Sequence, residues 1–276
     1  MIIVSGHLYR EILQKIKNFP GLTIECLHYI HNIYPQFSTR TLWSILSWEH
    51  RERLPDILKD MEQSCPELLN EYDQRVDNYP DCDFAMTVMA AQRRYSPFLL
   101  AKMLLKAKLK TSSGKINEIL SSPGLIQDAI LRKNVEKCIL LDNLEGPVAD
   151  EYRDQIGIFF EKMLFDILKR AGIDYNTEKE LRRLGFRKTP DTRLLTKCFY
   201  KGRKINWIES KAFFGNHFNH NQMLHKQLIP YSQDFGPGLV IYWMGFVEEI
   251  LDNQAHRNSI FVRCDFPSPA ELKIRQ

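Results

Sequence analysis

The spacing of apolar residues changes about halfway along the chain, and this change constrains the fold more than any other feature of the sequence. Up to about residue 140, apolar residues recur every three or four positions and runs of β-branched residues are few, which predicts helices. After about residue 150, one long amphipathic stretch is followed by short apolar runs that are typical of strands. We therefore expect an α/β (α+β) protein, with a helical region at residues 1–145 and a sheet domain at residues 146–276.

The helical region divides into several amphipathic segments. The segments that each fit one helix are residues 8–16, 23–33, 39–48, 85–92 and 97–109, and a longer helical stretch covers residues 116–141. Between them, residues 106–115 are basic and end in small polar side chains, which favours a solvated helix end and loop over a phosphate-binding segment. Gly146 and Pro147 favour a domain boundary within residues 142–150.

Two parts of the helical region resemble each other. In each, an aromatic residue precedes a serine (Ser38 or Ser96), and leucines follow four and eight positions later. Serine is a good N-cap, so each serine is predicted to begin the second helix of a helix-turn-helix-like module, at about residues 1–60 and 61–145. Two ordinary helical hairpins, with the aromatic residues and leucines in the core, fit the pattern equally well. If the segments are helix-turn-helix-like modules, the candidate contacts to nucleic acid are Arg40, Arg93, Arg94 and Lys102.

Composition narrows the class of protein only moderately. With 38 Lys+Arg against 34 Asp+Glu, the net charge is +4, so any affinity for nucleic acid must come from local patches. The first residues lack the features of a secretory signal, and no segment approaches the roughly 18 apolar residues that span a membrane. The six cysteines are scattered, without zinc-ribbon or disulfide spacing. An intracellular protein with reduced thiols and no membrane association is expected.

The second half contains two predicted helices and several predicted strands. The helices are residues 154–171, ended by Gly172, and residues 219–235, ended by Gly236. The strands are residues 194–200, 205–211, 239–243 and 260–264, and residues 201–204 make a good hairpin turn between the first two.

Three charged residues at the open end of this hairpin are the main candidates for chemistry. Asp191 precedes the first strand, and Glu209 and Lys211 end the second. Alternation puts Glu209 and Lys211 on one face of the strand with Ser210 opposite, and an antiparallel hairpin brings Asp191 beside them. Two carboxylates, with the backbone carbonyl of Ser210, are suitable ligands for Mg²⁺ or Mn²⁺. The pattern predicts a metal-dependent phosphodiesterase in which Lys211 acts on the attacking water or on the developing charge.

Pro190-Asp191 followed by Glu209-Ser210-Lys211 resembles the motif of the PD-(D/E)XK nuclease superfamily, which implies a central mixed sheet flanked by helices. Glu161 lies where many members carry a further acidic residue, so the resemblance makes it an additional candidate metal ligand, although a solvated helix-face glutamate fits as well. Gln227 and Tyr231 match a Gln-x-x-x-Tyr signature that is expected to contact the substrate. Pro230 between them interrupts a regular helix and leaves the position of Tyr231 open.

A longer stretch is similar to the codanin-interacting nuclease family. The residues that carry this resemblance are 207–212, 214–215, 235–243 and 245–246. The family implies helix-turn-helix-like modules before a nuclease domain related to archaeal Holliday-junction resolvases. It also implies a codanin partner and a location in nucleus and cytoplasm. Junction resolvases commonly act as dimers, so a homodimer is a further expectation. The expected function is hydrolysis of nucleic acid, with DNA favoured.

Other functions fit parts of the sequence. The chain could be a codanin-binding scaffold that binds nucleic acid and has weak or no catalytic activity, or a DNA-binding protein that uses only its helical modules. His217, His220 and His225 could suggest zinc, but no acidic or cysteine ligand has a convincing spacing. Trp207, Tyr242 and Trp243 could stack on bases, although aromatic residues in apolar strands are more often core.

Overall fold

Helices occupy the first half of the chain, and a mixed sheet lies in the second, as the spacing of apolar residues predicts. The structure is a computed structural model, and it describes residues 2–252 and 258–275. Within these residues, no helix combines the length and apolar character needed to cross a membrane.

The described residues contain nine α-helices before residue 175, where the strands of the larger sheet begin. They are α1 (Gly6–Asn18), α2 (Thr23–Ile33), α3 (Thr39–Gln63), α4 (Cys65–Asn78), α5 (Ala85–Arg93), α6 (Pro97–Leu109), α7 (Ser113–Ser121), α8 (Ala129–Leu141) and α9 (Pro147–Arg170). The predicted bounds of α2 and α6 are confirmed. Pro147 begins α9 seven residues earlier than predicted, at the position where a proline costs a helix no hydrogen bond.

Three predictions about these helices were wrong. Helix α3 continues to Gln63 rather than ending near residue 48, because Ile57 and Met61 keep a buried face along a mostly polar stretch. Helix α4 was missed. The stretch at residues 116–141 is two helices and not one, since Pro123 lacks a backbone donor and a short 3₁₀ turn, Pro123–Leu125, separates α7 from α8.

The two similar segments begin helices in the same way. Ser38 Oγ accepts a hydrogen bond from the Thr41 amide at 3.1 Å, and Ser96 Oγ accepts one from the Leu99 amide at 3.0 Å. The aromatic residues and leucines of both segments are buried, which supports two helical hairpins as their architecture. The six residues are Phe37, Leu42, Leu46, Tyr95, Leu100 and Leu104.

The remaining elements form and flank the sheet. The strands are β1 (Ile3–Val4), β2 (Tyr175–Thr177), β3 (Thr192–Tyr200), β4 (Arg203–Lys211), β5 (Gly238–Tyr242), β6 (Phe246–Val247), β7 (Ile260–Arg263) and β8 (Leu272–Arg275). The helices are α10 (Glu178–Arg183), α11 (His217–Met223) and α12 (Ile229–Phe235), with a π-helical turn, Leu224–Leu228, between the last two.

The larger sheet has the order β2-β3-β4-β5-β7, and β8 also pairs with β3. Strands β4, β5 and β7 are parallel, whereas β3 is antiparallel to each of its neighbours. One face packs Ile208 and Ile241 against Leu164 and Leu168 of α9. The other packs Trp207 and Val240 against the helical run from α11 to α12. The sheet is therefore covered on both faces, and every residue of β5 is buried.

Grouped by contacts, the chain forms two compact units. One, the helical unit, is Leu13–Asp154, and the other, the sheet unit, is Met1–Ile12 with Gln155–Gln276. The sheet unit includes the start of the chain because Ile3 and Val4 pair with Phe246 and Val247, and because Tyr9 stacks on Phe214 with 5.7 Å between ring centroids. The predicted helical region began at residue 1, whereas residues 1–12 group with the sheet.

Candidate active site

Asp191 and Glu209 meet at the open end of the β3–β4 hairpin. The Asp191 amide donates a hydrogen bond to Glu209 Oε2 at 3.1 Å. In the other direction, Asp191 Oδ2 accepts one from the Ser210 amide at 2.7 Å. The two carboxylates thus share one end of the sheet, as the hairpin prediction required.

The hairpin turn alone does not place Asp191 beside Glu209. Lys201 and Gly202 form the turn with positive φ angles of 48° and 75°, as a two-residue type I′ turn requires. Near the turn, Cys198 pairs with Ile205, and that register, continued, would put Asp191 opposite Ala212. The register instead shifts between Arg193 and Cys198, so Thr192 pairs with Ile208. Irregular pairing in β3 therefore places Asp191 beside Glu209.

Lys211 points to the same place as Glu209. Its Nζ donates to Glu209 Oε1 at 2.7 Å and to Gln227 Oε1 at 2.8 Å. Ser210, between them, presents its side chain elsewhere, since Ser210 Oγ accepts from Trp243 Nε1 at 2.8 Å. The predicted alternation of side chains along β4 is confirmed.

The carboxylates are held in an electrostatically unfavourable setting. Glu209 is only 3% exposed, and Asp191 is half-buried. Burial, and then the nearby Glu209 carboxylate, hold the pKa of Asp191 well above its ordinary value, although Lys211 and the Ser210 amide oppose the shift. The pair carries more negative charge than one lysine compensates.

A third and a fourth carboxylate lie near this pair. Burial, followed by repulsion from Glu178 and Glu209, raises the pKa of the half-buried Glu161 on α9. Glu178 was missed in the sequence. Its amide donates to the Asp191 carbonyl at 3.2 Å, and its Oε1 accepts from Thr189 Oγ1 at 3.2 Å. A capping box of Thr177 and Glu180 was the available signal, because Thr-x-x-Glu indicates a helix start at Glu178.

Gln227 and Tyr231 both reach the site. Gln227 binds Lys211, and Tyr231 Oη donates to the Thr189 carbonyl at 3.1 Å. The π-helical turn Leu224–Leu228 accommodates the proline that made this placement uncertain. Pro230 cannot donate to the Lys226 carbonyl, and Lys188 Nζ donates to that oxygen instead, at 3.2 Å.

Comparison with known proteins identifies the family. The family model described as "Protein of unknown function TPD sequence-motif" matches residues 127–266, and the chain carries Thr-Pro-Asp at Thr189–Asp191 within them. Proteins named CDAN1-interacting nuclease 1 are similar along nearly the whole chain. The Mus musculus protein is 33% identical and the Homo sapiens protein 34%, each over 97% of this chain and 96% of the relative.

The chain belongs to the CDAN1-interacting nuclease 1 family. The Danio rerio member is 34% identical over 94% of this chain and 88% of its own length. No solved structure matches the chain significantly. The resemblance stated from residues 207–246 is thus confirmed at the level of the family.

The histidines of this family member do not form a metal site. His217 and His225 are exposed, whereas His220 is buried with its Nδ1 2.8 Å from Tyr242 Oη. Burial, and then His217, lower the pKa of His220 to about 4. Within residues 2–252 and 258–275, no group of three or more His, Cys, Asp or Glu side chains is arranged to hold a metal ion. Glu161 therefore does not complete a three-carboxylate metal site with Asp191 and Glu209. The zinc alternative is not supported.

The candidate contacts in the helical unit differ in their surroundings. Arg94 donates to the Ile16 carbonyl at 3.2 Å, and burial lowers the pKa of its guanidinium. Arg93 binds Glu71 at 2.6 Å, so both arginines are engaged within the unit. Arg40 is exposed, and Lys102 is half-buried. Their contact with nucleic acid stays a prediction.

Proposed function

We propose that this chain is a metal-dependent nuclease of the PD-(D/E)XK type that hydrolyses phosphodiester bonds, with DNA favoured. The observation that carries the proposal is the convergence of Asp191, Glu209 and Lys211 at one end of the sheet, where the Lys211 ammonium lies within 2.8 Å of both Glu209 and Gln227. The nuclease names of its relatives support the same activity.

The donor set fits a hard divalent cation. Asp191 and Glu209 supply carboxylate oxygens, and the pKa of Asp191 is raised first by burial and then by the Glu209 carboxylate, whose charge a cation would neutralise. The Ser210 carbonyl belongs to the residue whose amide already binds Asp191. Mg²⁺ commonly takes one or two protein carboxylates and completes its shell with water and phosphate oxygens, so a third acidic ligand is not required. When bound, Mg²⁺ or Mn²⁺ would polarise the scissile phosphate and lower the pKa of a coordinated water.

Lys211 is oriented by the protein before substrate binds. An ammonium has three N–H donors, and two are used by Glu209 and Gln227. The third can donate to the attacking water or to an equatorial phosphate oxygen, where it would stabilise negative charge as it develops. Gln227 is a positioning residue in this scheme. Tyr231 has a similar role, because its hydroxyl holds the Thr189 carbonyl and with it the segment that ends in Asp191.

The test is cleavage by the purified full chain in Mg²⁺ or Mn²⁺, with single-stranded, duplex, flapped and four-way-junction DNA. Asp191→Asn and Lys211→Met are each expected to lower the cleavage rate at least about 100-fold. The exposed Asp234 and Lys204 provide matched controls, and Asp234→Asn and Lys204→Met are expected to retain the rate. Cleavage that survives both site substitutions would remove the proposed centre. Binding without cleavage by any form would favour the scaffold function instead.

We further propose that the chain acts with a codanin-like protein, since its relatives are named for interaction with CDAN1. A nuclear and cytoplasmic location and a homodimer are part of the same proposal. Copurification of the full chain with a codanin-like protein, followed by measurement of the mass of the complex, tests partner and stoichiometry together. A chain that elutes alone from an equimolar mixture contradicts the partner.

A further inference from the structure

A short basic loop leads directly into the candidate active site. This basic loop, residues 184–188, connects α10 to Thr189 and is exposed along its whole length. Gly185, with a φ of 85°, ends α10, and the Phe186 amide donates back to the Leu181 carbonyl at 3.1 Å. This glycine cap fixes the direction in which the loop leaves the helix.

The basic loop is tied to the element that orients Lys211. Lys188 Nζ donates at 3.2 Å to the Lys226 carbonyl, to which Pro230, four residues on, has no amide hydrogen to donate. The next residue is Gln227, whose side chain binds Lys211 Nζ at 2.8 Å. A ligand bound along the basic loop and Lys226 would therefore lie beside the proposed catalytic lysine.

The cations on this surface lack acidic partners. Arg182 is neutralised by Glu178, but no carboxylate in the described part of the chain forms an ion pair with Arg187, Lys188 or Lys226. All three side chains belong to exposed residues. Cations without acidic partners can neutralise phosphates of a nucleic-acid backbone on either side of a bond that is cleaved at the acidic centre.

One aromatic ring accompanies these charges. Phe186 is 36% exposed, and its ring lies 5.4 Å from the Phe235 ring. The Arg193 guanidinium lies 5.3 Å from the centroid of each ring. These contacts fix Phe186 in place while leaving part of it open to solvent. A partly exposed ring among basic residues can stack on a base, provided that the base is not already stacked and paired in a duplex.

We propose that the basic loop and Lys226 bind a single-stranded segment of nucleic acid, with phosphates on Arg187, Lys188 and Lys226 and an unpaired base on Phe186. This inference rests on the proposed function for the position of the cleaved bond. It narrows the substrate to nucleic acid with a free strand next to that bond, such as an overhang or a flap.

Binding can be measured without cleavage. Fluorescence anisotropy in EDTA would compare labelled single-stranded DNA and blunt duplex DNA on the full chain. Phe186→Leu is expected to weaken single-strand binding by roughly 10-fold, because about one stacked base is lost, and to leave duplex binding unchanged. An equal loss of affinity for both ligands would show that Phe186 contacts the duplex as well, and it would overturn the proposal. No loss of affinity for either ligand would also overturn it.

The charges are tested by the triple variant Arg187→Gln, Lys188→Gln and Lys226→Gln. It is expected to weaken single-strand binding by at least 10-fold and to reduce the slope of log affinity against log salt by about 2.

The matched control is a triple variant with the same net charge, in which Lys197, Arg203 and Lys204 are each replaced by Gln on an exposed part of β3 and β4. It should change binding and slope little. Equal losses in both triple variants would mean that only overall charge matters, which contradicts the proposal. A protein that binds through the basic loop but never cleaves would instead contradict the proposed function and leave the strand-binding surface standing.

Discussion

An aspartate in each unit shows how differently the two regions treat a carboxylate that is withdrawn from water. Asp142, in the helical unit, is 1% exposed, and Asp191, in the sheet unit, is half-buried. Both oxygens of Asp142 are bound by two donors each. The donors are the Ser96 hydroxyl and the amides of Phe98, Leu144 and Glu145.

Asp191 has a poorer environment. Its Oδ2 accepts from one amide, that of Ser210, and among the acidic groups Glu209 raises its pKa most. Its pKa is raised as a result, first by burial and then by that repulsion. In the helical unit, Asp142 joins a helix start to a loop through four hydrogen bonds. In the sheet unit, the Asp191 carboxylate accepts from the Ser210 amide and lies beside a second carboxylate. We infer that Asp142 stabilises the fold and Asp191 is available for chemistry.

The same substitution at both positions tests this contrast most strongly. Asp142→Asn replaces one acceptor oxygen by an NH₂ group that faces two donors, so the free energy of unfolding should fall by about 3 kcal/mol. Asp191→Asn removes a charge that the native state disfavours. Because the pKa of Asp191 is raised in the fold, ionisation at higher pH costs stability, and the asparagine should unfold at the same or higher urea concentration at neutral pH. Similar losses at both positions would erase the distinction.

Acid should affect the sheet unit through His220. Its pKa falls from 6.5 to about 4 on folding, so the unfolded chain binds the proton more readily between these values. The free energy of unfolding should therefore decrease by about 3 kcal/mol as pH is lowered from about 6.5 to about 4. The free energy of unfolding can be measured at each pH by urea unfolding, with hydrogen exchange of β4 and β5 as the probe. His220→Gln should flatten the pH dependence, whereas the exposed His7→Gln should not; a slope that persists in His220→Gln contradicts the assignment.

Close packing of the sheet can be tested at Gly238. A Cβ there would lie 2.1 Å from the Trp207 ring, which lies in the core and is 0% exposed. Gly238→Ala should lower the free energy of unfolding by about 2 kcal/mol, because ring or backbone must shift. Gly157→Ala, in α9 with no atom within 4 Å of the added carbon, is the matched control and should be neutral or slightly stabilising. Equal thermal midpoints would contradict the tight contact.

The smallest expected effects concern the helix starts in the helical unit. Ser38→Ala removes the cap of α3 and should cost about 1 kcal/mol. Ser96→Ala should cost more, since the Ser96 hydroxyl also donates to the buried Asp142 and its loss leaves that oxygen with one donor fewer. Chemical denaturation of both variants gives the comparison. A larger loss at Ser38 would show that Asp142 does not depend on this bond.

The helices and the hairpin could be predicted because their signals are local. Ser38, Ser96 and the Lys201-Gly202 turn act within a few residues, through capping bonds and allowed φ angles. Alternation along β4 was enough to place Glu209 and Lys211 on one face. The sequence by itself therefore determined which groups could form the candidate site.

Their arrangement was decided by tertiary structure. The register shift in β3, the pairing of β1 with β6, and the bond between Gln227 and Lys211 join residues through packing that no local pattern describes. The Lys226 carbonyl illustrates the difference. Pro230 indicates from sequence that a helical acceptor is left without its donor, but only the fold brings Lys188 to it. Local bonding is decided by neighbours along the chain, whereas contacts between distant residues depend on how every element packs.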